Sequence, residues 1–199
     1  MRFLIFSILL LHCSIMALDL KNIESLENWK VLKEKPIKVE WREYKNFPIS
    51  KAEVTLTHTI EKVASIIQDV DNYPTIFERV TNTRHLDENV VQIILDMPFP
   101  FSGRDYIVEY FIENSQNHWV FSFTSVKHSK GIIEPDHVRL PNASGIWILK
   151  RLGPKRTKVI YGWNGELLGN FPEFGLEQAW ITQGTEVLSW LEKTLSKKE

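Results

Sequence analysis

Cysteine is almost missing from this chain of 199 residues: Cys13 is the only one. Beyond Ala17 the chain therefore offers no disulfide, no thiolate zinc site, no iron–sulfur cluster and no cysteine nucleophile. Neither sign of charge is in excess, with 24 Lys and Arg against 25 Asp and Glu, and no basic run exceeds Lys197-Lys198. A nucleic-acid binder held by phosphate contacts needs a denser positive patch, so no nucleic-acid partner is expected. Glycine and proline number 9 each, which excludes collagen-like or low-complexity sequence. No apolar run reaches the roughly 20 residues of a membrane span.

Catalytic signatures are missing too. There is no Gly-x-Ser-x-Gly elbow, His-Glu-x-x-His, phosphate-binding glycine loop or dinucleotide fingerprint. His58, His85, His118, His128 and His137 include no pair spaced to share a helical face, so no metal site is expected. Glu134-Pro-Asp-His137 reads as a solvated turn. Arg104-Asp105 is the one candidate catalytic pair; at the start of a strand it reads more simply as charges bonding nearby backbone or each other. No catalytic residue and no cofactor are expected.

What is present is a chain that is 43% hydrophobic and 12% aromatic, enough for one domain with a real core. Met1 and Arg2 precede the apolar run Phe3 to Leu11, and Ala17 offers a small residue for cleavage. Residues 1–17 read as a secretory signal peptide, and an exported domain, periplasmic or extracellular, spans 18–199. The run is too short for a membrane anchor, and His12 before Cys13 does not suit acylation.

Leu20, Ile23, Leu26 and Trp29 at helical spacing predict a short helix from Leu18 to about Lys35, ended by Pro36. Ile37 to Tyr44 alternates as a strand, residues 46–50 with Pro48 make a turn, and Ala52 to Thr57 alternates again. Thr59 caps a helix carrying Val63, Ile66, Ile67 and Val70, and Asp71-Asn-Tyr-Pro74 stops it. Six strands follow, at 79–86, 90–97, 106–112, 119–126, 145–152 and 157–163. Pro172 begins a long helix to about Ser196. Its apolar side carries Phe174, Trp180, Ile181 and Leu188, with Gly184 near the middle, and its polar side carries Gln178, Thr182, Gln183 and Glu186. The order predicts an α+β fold, a curved antiparallel sheet wrapped around a C-terminal helix.

From Trp29 onward the chain resembles the START domains, the steroidogenic-acute-regulatory-related lipid transfer family, particularly its exported bacterial-type members. The matching features are Trp29 before Ile37-Lys-Val, Asp69 closing the first inner helix, and Met97-Pro-Phe-Pro-Phe101 leading to Gly103-Arg104-Asp105-Tyr106. Gly145-Ile-Trp147, Thr157-Lys-Val159 and Gly169-Asn-Phe-Pro172 then recur in the family's order. The resemblance implies a helix-grip fold whose internal tunnel, between sheet and last helix, holds one lipid or other hydrophobic molecule without chemistry. A cyclase- or hydrolase-like enzyme acting in the same cavity, and a ligand-free interaction module, are the alternatives. Sterol-binding relatives often place a basic residue six positions after the Arg of Arg-Asp. Here that position is Tyr110, so sterol specificity does not carry over.

Strand alternation then assigns the tunnel wall. Tyr106, Val108, Tyr110 and Ile112 share one strand face, as do Trp119, Phe121 and Phe123. Trp147 aligns between them and Val159, Tyr161 and Trp163. From the helix, Ile181, Gly184 and Leu188 are expected to face the ligand. Gly184 has two readings: it opens volume for the ligand, or it allows close contact with a strand. Phe99 and Phe101, in a proline-stiffened loop that the resemblance places at the tunnel mouth, are expected to touch a membrane transiently or to close the mouth as a lid.

Overall fold

A computed structural model describes residues 18–197, so the expected leader at 1–17 lies outside the described residues. The strands are β1 (Lys30–Lys33), β2 (Lys38–Tyr44), β3 (Phe47–Leu56), β4 (Val80–Asp87), β5 (Val90–Leu95), β6 (Gly103–Ser115), β7 (His118–Ser125), β8 (His137–Arg139), β9 (Ser144–Gly153) and β10 (Arg156–Asn164). They form one sheet in the order β1-β2-β3-β10-β9-β7-β6-β5-β4, antiparallel throughout, with β8 joining β6 in parallel. Three helices, α1 (Ile60–Gln68), α2 (Tyr73–Ile76) and α3 (Leu176–Lys197), lie on its inner face.

Local chemistry sets these boundaries. Thr59 caps α1 by accepting a hydrogen bond from the Lys62 amide at 3.2 Å, and Val63, Ile66 and Ile67 bury its inner side. Lys45 and Asn46 both adopt left-handed φ, 51° and 64°, giving a two-residue hairpin with Tyr44 opposite Phe47. The expected turn at 46–50 is therefore shorter, and Pro48 falls inside β3, near its start.

Two other expectations differ. The predicted helix at 18–35 is only a 3₁₀ turn at Ile23–Ser25, and after Asn28, at φ 59°, the chain enters β1. Leu20, Ile23, Leu26 and Trp29 are apolar because they cover the outer face of the sheet, against Ile49, Ile146, Ile148 and Ile160. Gly162 makes room for this: a Cβ there would lie 2.4 Å from Ile23 Cδ1. The stop at residues 71–74 is instead a 3₁₀ turn followed by α2, with Pro74 in its first turn.

The main core lies between the sheet and the helices. Trp180, Gly184, Leu188, Leu191 and Leu195 form the buried stripe of α3, which rests on β2, β3 and α1. That stripe is narrower than the apolar side read from the sequence, and Phe174, in the 3₁₀ turn before α3, is 93% exposed.

Candidate ligand-binding cavity

A cavity of about 630 Å³ opens between the inner face of β5, β6, β7, β9 and β10 and the N-terminal half of α3. Its depth follows from strand register. Phe123, Gly145 and Trp163 form one rung across β7, β9 and β10; Phe121, Trp147 and Tyr161 form the next; Trp119, Leu149 and Val159 form the third. Phe123 and Trp163 in the first rung, with Trp147 and Tyr161 in the second, line the cavity. At the third rung the space is filled, because α1 lies against β9 and β10 there.

The expected wall residues therefore divide. Tyr106, Tyr110, Phe123, Trp147, Tyr161 and Trp163 line the cavity, and Phe101 stands at its mouth. Phe121, Val159 and Leu188 belong to the solid core, with Trp119 at its edge. Val108 is fully buried on β6, and Ile181 is half-buried on α3; neither lines the cavity. Ile112 is 53% exposed, because β5 stops at Val90 opposite Glu109 and leaves that part of β6 without a neighbour on one side. Alternation identifies the correct face; it does not show where along that face α1 fills the space.

Gly184 is not at the cavity. A Cβ there would stand 2.9 Å from Ala52 Cβ, 3.0 Å from Trp163 and 3.3 Å from Val39 Cγ2, so this glycine seats α3 on the sheet. Phe101 meets Phe171 with ring centroids 4.5 Å apart at the mouth, as a closing pair. Phe99, in the same loop, is 96% exposed.

Aromatic rings build two walls. Trp147 and Tyr161 stack at 4.4 Å and Tyr161 and Trp163 at 4.9 Å, while Phe123 faces Tyr106 at 6.4 Å and Tyr110 at 5.6 Å. Sequence reading did not find Tyr73 of α2 and Phe77, which follows it, or Gln178, Thr182, Gln183 and Glu186 of α3. Those four residues, on the side of α3 read as polar, form the cavity's polar roof.

Charges lie near the mouth. Arg79 grips Glu186 with two bonds, Nε to Oε2 at 2.6 Å and Nη2 to Oε1 at 2.7 Å. Glu166 accepts from the Asn142 and Asn164 amides at 3.2 and 3.4 Å. Arg104 and Asp105 are both buried, and they do not pair with each other. Arg104 points inward and donates to the carbonyls of Leu167 at 2.6 Å, Leu168 at 3.1 Å, Gly103 at 3.3 Å, and Ser102. Burial, with no acid offsetting it, holds its pKa below the ordinary arginine value. Asp105 Oδ2 accepts from Gln92 at 2.7 Å and from Arg139 at 2.8 Å, and Gln92 and Arg139 also bond Ile132 O. The dipeptide thus pins two loops: Arg104 the 165–172 loop over the mouth, Asp105 the 127–136 excursion.

No family model and no curated protein matches the sequence. Solved structures do. A STAR-related lipid transfer protein from Xanthomonas axonopodis superposes with a TM-score of 0.73 at 19% identity, over 85% of this chain and 99% of that one. Human STARD10 gives 0.74 at 18%, over 85% and 73%. The Zhui aromatase/cyclase of a Streptomyces strain gives 0.54 at 13%, over 75% and 94%. Identities this low establish the architecture, which agrees with the ten-stranded sheet and long terminal helix described above. The chain has the helix-grip fold of the STAR-related lipid transfer domains.

Proposed function

We propose that this protein binds, and carries, one hydrophobic lipid-like molecule in the cavity under α3, after export from the cytoplasm. The observation that carries this reading is the 630 Å³ aromatic-walled space at the point where sheet and helix would otherwise meet. The lipid transfer proteins that share the fold support it. Ala179 lines the cavity from α3 and provides the test. Ala179→Trp would fill much of the space, so uptake from a broad lipid extract is expected to fall to background in a folded variant. Uptake equal to the parent protein would place the ligand elsewhere.

A second reading, an enzyme acting on a hydrophobic substrate, is favoured by the aromatase/cyclase that shares the fold. The candidate pair does not serve such a reaction: Asp105 is held by Gln92 and Arg139, and the Arg104 guanidinium is occupied by four backbone carbonyls. The carrier reading accounts for more of the cavity.

A further inference from the structure

Five buried side-chain polar atoms have no hydrogen-bond partner among the described residues, and three of them share one rung of the sheet. Ser50 of β3 sits opposite Trp41 of β2 on one side and Trp163 of β10 on the other; the atoms are Trp41 Nε1, Ser50 Oγ and Trp163 Nε1. The rung continues through Gly145 to Phe123, so it extends the first rung of the cavity wall sideways, away from the cavity. Helix α3 covers it. The Trp180 ring lies 4.8 Å from that of Trp41, and a Cβ on Gly184 would stand 3.0 Å from the Trp163 ring. Opposed side chains in a sheet are about 5 Å apart at Cβ, so the three groups form one cluster.

Other indoles of the fold are served. Trp180 Nε1 donates to Gly165 O at 2.9 Å, and Trp29 Nε1 donates to Leu26 O at 2.8 Å. The cluster cannot serve itself, whichever way its side chains turn. It holds three protons, two on indole nitrogens and one on the hydroxyl, and Ser50 Oγ is its single side-chain acceptor. The missing partner is therefore an acceptor. No residue of the rung is charged, so a carboxylate or phosphate there would be a buried anion with no cation to offset it. An alcohol would bring one more proton to a place already oversupplied. A carbonyl oxygen brings acceptor capacity alone. Of the three groups, Trp163 is the one whose side chain lines the cavity.

We infer that the ligand of this cavity carries a carbonyl oxygen, as a ketone or ester, and that the Trp163 indole N–H donates to it. Nε1 is covered in the structure, so the indole turns its N–H edge toward the cavity as the ligand enters. The inference rests on the cavity being the ligand site, and it adds what the ligand presents there. A pure hydrocarbon fills the same space and leaves the donor unmet, so the site favours the oxygen-bearing molecule.

The test compares probes that share one hydrocarbon chain: an alkane, the matching methyl ketone, methyl ester, alcohol and carboxylate. Binding to the purified, delipidated protein is measured for the parent, for Trp163→Phe, which keeps a ring in the wall and removes the N–H, and for the control Trp29→Phe on the outer face. Ketone and ester are expected to bind the parent and the control at least about fivefold tighter than the alkane, one hydrogen bond's worth, with alcohol and carboxylate weaker than either. Trp163→Phe is expected to erase that preference and to leave alkane binding unchanged. In the parent, the indole N–H proton resonance that Trp163→Phe removes is expected to move downfield with the ketone and to stay in place with the alkane. A preference that survives Trp163→Phe, a ketone that binds no tighter than the alkane, or a carboxylate that binds tightest would overturn the inference while the cavity remained the ligand site. If Trp163→Phe does not fold, the parent decides: no indole N–H resonance responding to the ketone overturns the inference. Failure of every probe, the alkane included, would overturn the carrier reading and this inference with it.

Discussion

Tyrosine 161 and its three neighbours show how burial changes a side chain's chemistry. Burial pushes the Tyr161 hydroxyl up to about 12, and burial likewise raises Tyr73, Tyr106 and Tyr110 from their ordinary value of 10.0. Below pH 10 the folded and unfolded chains both keep these protons, so the stabilisation is fully present. Above it only the unfolded chain releases them, and stability falls by up to about 1.4 kcal/mol per pH unit for each tyrosine. Alkaline titration at the tyrosinate absorption band is expected to show these four ionising only together with loss of near-ultraviolet circular dichroism. Their ionisation in an intact fold would contradict the burial described. Phe101 pairs with Phe171 at the mouth, whereas Phe99 in the same loop is 96% exposed. If it inserts into a bilayer during loading, Phe99→Ser slows transfer between liposomes severalfold and leaves binding capacity unchanged. An unchanged transfer rate would remove the membrane role from this residue.

Helix α3 is the element on which the cavity depends, and Gly184 sets its height above the sheet. Alanine is favoured over glycine inside a helix by about 1 kcal/mol, whereas overfilling a tight contact costs about 1–3 kcal/mol. The nearest atom to an added Cβ is Ala52 Cβ, fixed directly to β3, so the contact term wins. Gly184→Ala is expected to lose about 1 kcal/mol net, read as a lower urea midpoint. A raised midpoint would mean that the helix has slack. Element order was legible from the sequence where a pattern had a single cause: strict alternation in β2 and β10, and Thr59 before a periodic run. It was misleading where two causes coincide. Leu20, Ile23, Leu26 and Trp29 are spaced like a helix, yet each is apolar for the outer face of the sheet. β8 is only three residues long, too short for alternation to register. The polar side of α3 was legible as polar, but hydrophilicity alone does not distinguish water from a polar cavity roof.

For the whole molecule, the cavity is the unusual quantity. Buried empty volume costs about 24 cal/mol per Å³ in core-truncation data. At that rate the 630 Å³ here amounts to about 15 kcal/mol, against about 5–15 kcal/mol for a domain's entire stability. A space of this size is therefore occupied, by water or by a ligand. Aromatic walls favour the ligand, since each buried methylene contributes about 0.8 kcal/mol. Strand alternation showed which sheet face forms the wall, and the family resemblance placed the 97–101 loop beside the mouth. Neither showed the cavity's end, because that boundary is set by α1 meeting β9 and β10 from a distant part of the chain. The most direct test is native mass spectrometry of the protein purified gently from its own host, followed by solvent extraction. The account predicts an apolar adduct of defined mass, near one per chain. A bare protein mass that persists after incubation with a broad lipid extract would contradict it.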